Sequence, residues 1–571
     1  MKKKQAVILQ LLLACMLFSG AKVSAQSAQA NMAYSPCQEV PILIENYTAD
    51  LRSINRFYIV ENSPEKRDRL VKLYQSYLDK LNTFNFDNLA QECKVDYILI
   101  QRDLNEGIHL AKDAATDAET VKEWFNFAQP IYELEKARRR GAIMNSQQVA
   151  LDMNEMNKKI AGLKNKLVDV TLSQASIRSA METIRGLKTG LKTLFDFYNG
   201  YDPMFTWWVP KIYAGLDTNL SMYASVFNDK RGRPDKNGII ARKPAGYDEM
   251  VRLLQYEMIP YKPEELIDMA NKEFAWCEKE MLKASREMGF GDDWKAALEK
   301  IKKSYVPPGE QPAAMVKLYN ESVDFLKKND LITIPELEEE TWGLQMMSAQ
   351  RQRTNAFFTG GNELTVSYPT NSMDIDFRMM SMRGNNPYFS RSTVHHELIA
   401  GHNMQYYMSD RYRTYRHFAT PFWMEGWALY WELLLWDLKF PVKPEEKAGM
   451  LFWRMHRCAR IIFSFNFHLG KWTPQQCIDF LVDKVGHEYA NAESEIRGPL
   501  SSNNNPLYQI AYLTGGFQFY AMKKEIVDSG KMTYKQFHDA IIHLNAMPVE
   551  MIRAIIENKP LQKDYKTNWR F

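Results

Sequence analysis

The stretch "STVHHELIAGHNMQYY" (residues 392–407) places the strongest constraint on how this chain folds. It holds three of the chain's ten histidines together with one glutamate. It comes close to the metal-binding pattern H-E-x-x-H, in which two histidines one helical turn apart bind the same ion. In this chain, however, the second histidine of the pattern comes two residues late.

The spacing of His396 and His402 does not suit a shared ligand on a regular helix. Residues i and i+6 lie roughly 120° apart around the axis and about 9 Å apart along it. His395 and His402 share a face, but they are about two turns apart. Gly401 would allow the helix to break between the histidines, because glycine tolerates unusual backbone angles. Extra residues can also be absorbed as a bulge in the helix. The stretch is therefore either a helix with hydrogen-bonded histidines or a metal site with a break or bulge just before His402.

A second stretch, "FWMEGWALYWELL" (422–434), offers a third ligand for the metal hypothesis. Two histidines and one carboxylate bind Zn2+ and leave the fourth position open for water. The hypothesis is thus one zinc ion per chain, held by His396, His402 and Glu425. The alternative is that Glu425 is simply an acidic residue in the first turn of a helix, where the helix dipole favours it.

Helical periodicity dominates the chain from residue 45 to about 330. Ser63-Pro64-Glu65 is typical of a capped helix start, and Gly289 of a helix end. Apolar residues recur every three or four positions in three long stripes. These stripes are Leu70–Leu81, Val149–Leu167 and Leu266–Met288. Loops rich in Gly, Pro and charge are expected at 228–238 and 306–312.

Strand-like alternation of apolar and polar residues occurs at 362–370 and 373–382, and helices are expected to resume near Ser390. The expected fold class is mainly α, with one small β-sheet immediately before the histidine-rich stretch. We expect an N-terminal helical region over 26–330 and a second region over 331–571, joined in one fold with a cleft.

The first 25 residues have the layout of a secretory signal peptide. Three lysines precede the apolar run Ala6–Phe18, and small residues follow it up to Ala25. We expect cleavage after Ala25 and export to the periplasm or beyond; the alternative is lipid attachment at Cys15. The apolar run is shorter than the about 20 residues that a membrane span needs, so no span is expected in the mature chain.

Charge and cysteine content exclude some functions. The 73 basic and 69 acidic residues nearly balance, so nothing indicates nucleic-acid binding. Five cysteines follow the signal region, and none forms C-x-x-C, so zinc held by cysteines is not expected. Export would permit a Cys37–Cys93 bridge, with the other cysteines buried as thiols.

The two site stretches together resemble the bacterial "domain of unknown function 885" family. That family's pattern is H-E-x-x-P-G-H followed by E-G-W-A-x-Y, and this chain carries "HELIAGH" (396–402) and "EGWALY" (425–430). The segments "HLGKWTPQQCIDFL" (468–481), "NPLYQIAYLTGG" (505–516) and "MTYKQFHDAIIHLNAMPVEMI" (532–552) resemble the family too. Ala400 and Asn403 depart from the family pattern, which usually has proline and histidine there. The likeness covers roughly two-thirds of the mature chain.

The resemblance implies a large helical fold like that of the gluzincin zinc peptidases and oligopeptidases, with short peptides as substrates. Under it, Glu397 would be the general base, and Tyr512 and His468 would be donors to the developing oxyanion. His395 and His417 are further candidates for orienting the ligands. A strand at 360–368 is either a place where substrate backbone adds to a sheet or an ordinary core strand.

Two other functions stay open at this stage. The departures from the family pattern suggest a non-catalytic relative that binds peptides or another nutrient. The 13 Trp and 29 Tyr in an exported helical chain suggest a glycan-binding protein. A carboxypeptidase would need an arginine for the substrate's terminal carboxylate, and the sequence offers no preference among Arg411, Arg413, Arg416 and Arg497.

Overall fold

The fold comes from a computed structural model that describes residues 37–230, 244–353, 355–498, 500 and 505–571. The signal-peptide and lipid-attachment interpretations, and most of the loop expected at 228–238, lie outside these residues. The described chain is mainly α-helical, as the sequence predicts. Its named strands form one two-stranded sheet.

The helices before the sheet alternate with short connections. Their bounds are α1 Glu39–Phe57, α2 Pro64–Asn82, α3 Gln91–Glu119, α4 Gln129–Arg138, α5 Ser146–Leu167, α6 Gln174–Tyr198, α7 Pro203–Trp208, α8 Pro210–Asp229, α9 Tyr247–Tyr256, α10 Pro263–Glu287, α11 Trp294–Lys302, α12 Gln311–Lys328 and α13 Glu336–Thr341. All three apolar stripes lie on these helices. Ser63 caps α2 by accepting a hydrogen bond from the Lys66 N–H, as its position predicts.

The sheet and the site helices follow. Their bounds are β1 Gly343–Met346, α14 Ala349–Gln352, β2 Glu363–Val366, α15 Ile375–Gly384, α16 Pro387–Glu397, α17 His402–Ser409, α18 Pro421–Asp437, α19 Pro444–His468, α20 Pro474–Phe480, α21 Tyr489–Arg497, α22 Tyr508–Ile526, α23 Tyr534–Ile542 and α24 Val549–Ile556. A short π-helical turn, Leu481–Val485, extends α20.

The strand prediction is right for one segment and wrong for the other. β2 lies inside 362–370, and it pairs in parallel with β1, which the sequence did not predict. Residues 375–382 are helical instead, because Asp374 accepts a hydrogen bond from the Phe377 N–H and caps α15. Helices therefore resume at Ile375, earlier than expected.

Three hydrophobic cores hold the described chain together. One core is formed entirely by residues between Val121 and Phe227. The other two draw on both halves of the sequence: Leu99 of α3 shares a core with Trp427 of α18, and Phe274 of α10 shares another with Phe452 of α19. The early helices thus help to fix the helices that carry the metal-site motif.

The helices α18 and α22 cross with their backbones in contact. A Cβ atom on Gly515 would lie 2.2 Å from the Phe422 carbonyl oxygen, and one on Gly426 would lie 2.6 Å from Gly515. Only glycine fits at such a close approach. The crossing therefore brings the start of α22, with its tyrosines, against the start of α18, which carries Glu425.

A disulfide joins Cys37 to Cys93 and confirms the pairing that export would permit. Cys277, Cys458 and Cys477 are buried free thiols, also as expected. Among the described residues, no helix combines the length and the apolar character that a membrane span requires.

Candidate metal centre

The helix that begins at Pro387 breaks between His396 and His402, as their spacing requires. Helix α16 ends at Glu397, and α17 begins at His402. Position 401 requires glycine because a side chain would not fit there. The backbone angle does not require it, since φ is −87°. A Cβ atom there would lie 1.8 Å from the His396 carbonyl oxygen. The break thus folds the chain back so tightly that only glycine fits.

The break and the start of α18 bring the three expected ligands together. The Nε2 atoms of His396 and His402 lie 3.5 Å and 3.2 Å from Oε2 of Glu425. All three side chains are buried, and their donor atoms lie within 4.8 Å of one another. The structure therefore favours a cluster over separate histidines satisfied by separate hydrogen bonds.

The far nitrogens of both imidazoles contact groups that turn the near nitrogens toward Glu425. His402 Nδ1 lies 3.0 Å from Gln405 Oε1, and the Gln405 amide is oriented because its Nε2 donates to the Trp423 carbonyl. Oε1 of Glu432 lies 2.8 Å from His396 Nδ1, although out of line for a well-directed hydrogen bond. Both contacts favour a proton on Nδ1 and leave the Nε2 lone pair for a cation.

The charges in the cluster are strongly coupled. Burial alone would raise the pKa of Glu425, but His402 and His396 outweigh burial and hold it well below its usual value. Burial alone would lower the pKa of His402, whereas Glu425 raises it to about 9. A proton or a metal cation between the two groups would satisfy this attraction.

The donor set fits a zinc ion. Ligands about 2.0–2.1 Å from a tetrahedral zinc lie roughly 3.3 Å from each other, and both Glu425–histidine distances are close to that value. Oε2 of Glu425 is buried without a well-directed hydrogen bond from any described residue. Its other oxygen accepts a hydrogen bond from the Tyr508 hydroxyl, which fixes the carboxylate. The arrangement is therefore a cluster that could hold a divalent metal ion.

A cavity of about 380 Å3 opens beside the cluster. His396, Glu397, Tyr508 and Tyr512 all line it. Glu397 Oε2 accepts a hydrogen bond from the Gly360 N–H, so the loop before β2 fixes this carboxylate. The ring of Tyr512 lies parallel to that of His396, with 6.0 Å between ring centres. The residues expected to act as base and as donor therefore share one cavity with a ligand.

His468 is the one proposed site residue that the structure places elsewhere. It ends α19, where its Nδ1 lies 3.4 Å from the Ala245 N–H and its carbonyl accepts a hydrogen bond from Gly246. It is not among the residues that line the cavity. These contacts give it a structural role at the end of the helix and no support as an oxyanion donor.

Sequence reasoning missed the residues that orient the ligands. It named His395 and His417, but His417 is exposed and His395 packs edge-on against Phe440. The orienting side chains are Glu432 and Gln405. Their spacing was a usable signal. Glu432 follows Glu425 by seven residues and Gln405 follows His402 by three, so each lies on the same helix face as one of the three cluster residues.

The four arginines that could have bound a substrate carboxylate all have partners within the protein. Arg413 and Arg416 bind Glu92 and belong to the core, Arg497 pairs with Glu493, and Arg411 donates to the Tyr407 carbonyl. The strand β2 is an ordinary core strand at its centre. Leu364 is fully buried. On the side away from β1, the backbone N–H and C=O of Thr365 form hydrogen bonds with the backbone of Thr359.

Two of the sequence departures have clear contacts. The Nδ2 atom of Asn403 donates to the carbonyls of Gly361 and Asn362, so it anchors the loop that positions Glu397. The carbonyl of Ala400 accepts a hydrogen bond of 2.7 Å from Trp427 Nε1. The tryptophan of the E-G-W motif thus stabilises the break between the two histidines.

Comparisons with known proteins show fold and family. The chain is similar to a structure described as "a putative lipoprotein of unknown function from Shewanella oneidensis", at 16% identity and a TM-score of 0.66 over 91% of this chain and 100% of that one. It is also similar to "the putative lipoprotein from Colwellia psychrerythraea", at 12% identity and a TM-score of 0.55 over 91% and 98% of the two chains. Among proteins with curated descriptions, none matches.

The family assignment rests on most of the chain. The family described as "Bacterial protein of unknown function (DUF885)" matches residues 58–556, which include every site residue named above. The resemblance seen in the two motifs is therefore confirmed, and the chain belongs to the DUF885 family of bacterial proteins.

Proposed function

We propose that the protein is an exported zinc-dependent peptidase that hydrolyses short peptides. One observation carries the proposal: His396, His402 and Glu425 converge at the edge of a cavity that also contains the carboxylate of Glu397. A structural metal site is normally closed by four protein ligands, whereas three ligands beside a cavity leave room for water and substrate.

The metal would be held by the two Nε2 atoms and by Oε2 of Glu425. When bound there, a zinc ion supplies Lewis acidity toward a water molecule and a peptide carbonyl. Glu432 supports the first ligand, because Arg457 and His396 outweigh the effect of burial and lower its pKa to about 2. A permanently charged carboxylate behind His396 makes the imidazole a stronger ligand.

Glu397 is the proposed general base. It directly follows the ligand His396, lines the cavity and is fixed by the Gly360 N–H. Its carboxylate takes the proton from the attacking water as the carbon–oxygen bond forms. It then passes this proton to the leaving nitrogen as the carbon–nitrogen bond breaks.

Tyr512 is the proposed donor to the developing oxyanion. Burial, reinforced by the Glu425 carboxylate, holds the pKa of its hydroxyl above the usual value, so the phenol keeps the proton that it must donate. Its hydroxyl also lies 3.5 Å from that of Tyr508. Tyr508 itself donates to Glu425 and is a positioning residue.

Substrate size and location follow from the cavity and the chain's features. A cavity of about 380 Å3 accommodates a short peptide more readily than a folded protein. The signal-like residues 1–25, the Cys37–Cys93 disulfide and the lipoprotein descriptions of two similar structures all support export.

Metal analysis and peptide cleavage test the proposal together. The purified protein should contain one zinc ion and cleave members of a short-peptide library, and a chelator should abolish cleavage. Glu397→Gln should lower kcat by 100-fold or more, at about the size expected of a general base, while zinc content is unchanged. Glu155→Gln, which alters an exposed helix glutamate, is the matched control.

Two results would count against the proposal. Stoichiometric zinc with no cleavage of any peptide would favour the non-catalytic binding relative. A Glu397→Gln variant as active as the Glu155→Gln control would remove the proposed base.

A further inference from the structure

Two arginines of α19 line the cavity on the side formed by Tyr512. Arg457 and Arg460 are 3% and 6% exposed, and their spacing of three puts both on one helix face. Their guanidinium carbons lie 4.9 Å and 4.2 Å from the centre of the Tyr512 ring. Two buried positive charges are thus held close together near the proposed reaction centre.

Among the described residues, each arginine has one carboxylate partner. Nη2 of Arg457 donates to Glu432 at 3.0 Å, and Nη2 of Arg460 donates to Glu495 at 2.6 Å. Nε of Arg457 and both Nε and Nη1 of Arg460 find no hydrogen-bond acceptor among the described residues. Buried guanidinium N–H groups normally have acceptors, so these three N–H groups are available to a ligand bound in the cavity.

We infer that Arg457 and Arg460 bind the terminal carboxylate of a peptide substrate; this inference rests on the proposed function. A carboxylate matches the fork of guanidinium donors and would accept hydrogen bonds from the N–H groups that have no acceptor among the described residues. The acidic groups that face the same space are already engaged. Glu495 contacts both Arg460 and His456, and Glu397 is fixed by the loop before β2.

The distance from the metal ligands sets where the peptide is cut. Arg460 lies 4.2 Å from the Tyr512 ring centre, which lies 6.0 Å from that of His396, so guanidinium and imidazole are at most about 10 Å apart. A peptide advances about 3.3–3.6 Å per residue, and each contact at its ends takes up about 3 Å. So short a span leaves room for only one or two residues between the scissile carbonyl and the bound carboxylate. The enzyme would release one or two residues from the C-terminus.

The walls of the cavity indicate the type of residue released. Phe357, Phe358 and Trp453 line the same space. Their apolar surfaces favour an apolar or aromatic side chain at the C-terminus. N-acetyl-phenylalanine is accordingly a suitable probe, with N-acetyl-phenylalanine amide as its uncharged counterpart.

Equilibrium binding tests the subsite without relying on turnover. We expect the chain without residues 1–25 to bind N-acetyl-phenylalanine at least 10-fold more tightly than its amide, in both zinc-loaded and chelator-treated protein. Arg460→Gln should abolish this preference. Arg454→Gln should retain it, because Arg454 lies on the same helix but pairs with Glu273 outside the cavity. N-acetyl-glutamic acid α-amide, whose carboxylate is on the side chain, should bind no better than the phenylalanine amide.

Peptide pairs with a free or amidated C-terminus provide the kinetic test. Arg460→Gln should raise KM for the free acid 10- to 100-fold with kcat within about 3-fold, and Arg460→Lys should recover part of the loss. Equal binding of acid and amide by the unaltered protein, or tight binding of the glutamic acid α-amide, would overturn the subsite. Absence of zinc or of any cleavage would overturn the proposed function, whereas the acid-over-amide preference in binding would still support the carboxylate site.

Discussion

At the scale of single residues, the metal cluster depends on side chains that never reach the cation. Oε1 of Glu432 lies 2.8 Å from His396 Nδ1 and 3.0 Å from Arg457 Nη2. Gln405 performs the corresponding task for His402. Since groups of this kind set the tautomer and direction of a histidine ligand, their loss weakens metal binding while the ligands themselves remain.

Glu432→Gln should therefore lower zinc affinity by about 10- to 100-fold. The substitution keeps the shape of the side chain but removes the charge behind His396. Competition with a chelator of known affinity measures the change. Glu273→Gln is the control, because it removes the carboxylate partner of Arg454, an arginine that lies on α19 like Arg457 but outside the cavity. Equal zinc affinity in both variants would contradict the role given to Glu432.

A second effect at this scale concerns Glu338, a buried glutamate that, unlike Glu432, has no basic residue among those described bonded to its carboxylate. This side chain is 1% exposed, and neither carboxylate oxygen has a hydrogen bond from a described residue. Burial raises its pKa to about 8, although Arg411 partly opposes the shift. The folded state thus resists ionisation of Glu338, whereas the unfolded chain ionises it near pH 4.5.

Stability should for that reason fall as the pH rises from about 4.5 to 8, and Glu338→Gln should remove the loss. At about 1.4 kcal/mol for each pKa unit, the effect is up to about 5 kcal/mol above pH 8 and vanishes below pH 4.5. Thermal unfolding at pH 5 and pH 9 measures it, with Glu340→Gln, which alters an exposed neighbouring glutamate, as control. A variant that gains no melting temperature at pH 9 relative to pH 5 would show that Glu338 ionises freely.

At the scale of elements, the decisive feature is the break between α16 and α17. The sequence required a break, because an intact helix could not bring His396 and His402 together. What the sequence did not reveal is how the break is held: the Ala400 carbonyl is bound by Trp427, and Gly401 passes against the His396 carbonyl. The site motif thus contains both a ligand and the support for the break.

Gly401→Ala should destabilise the protein by more than about 3 kcal/mol and weaken zinc binding, because the added methyl group meets backbone that cannot move aside. Gly162→Ala is the matched control. It lies within helix α5 with no atom within 4 Å of its added Cβ, and it should stabilise by up to about 1 kcal/mol. Melting temperature and zinc titration measure both variants. An unchanged zinc affinity in Gly401→Ala would contradict the tight packing at the break.

At the scale of the whole molecule, the early helices and the site helices form joint cores. The Cys37–Cys93 disulfide ties α1 to α3, and Leu99 of α3 shares its core with Trp427. The disulfide therefore stabilises the scaffold behind the metal cluster without touching it.

Removal of the disulfide should lower the free energy of unfolding and leave the zinc content unchanged. The bond closes a loop over a sequence separation of 56 residues, and the chain-entropy estimate for such a loop is about 4 kcal/mol. The Cys37→Ala/Cys93→Ala variant should melt at a lower temperature yet still bind one zinc ion. A reductant should lower the melting temperature of the unaltered protein but have no further effect on the variant. An unaltered protein that is insensitive to reductant would contradict the prediction.

The sequence by itself determined the mainly α class, several helix bounds, the three residues of the candidate metal cluster and the need for a break between the two histidines, because periodicity, caps and motif spacing are local properties. The strand prediction for 373–382 was wrong because the alternation of apolar and polar residues there mimics a strand, whereas Asp374 caps a helix that begins at Ile375. The tertiary structure alone decided that His468 lies outside the cavity and that Glu432, Gln405, Tyr508 and the two arginines surround the ligands. These contacts join residues on different helices, and their formation depends on how α16, α18, α19 and α22 pack, which no local pattern encodes.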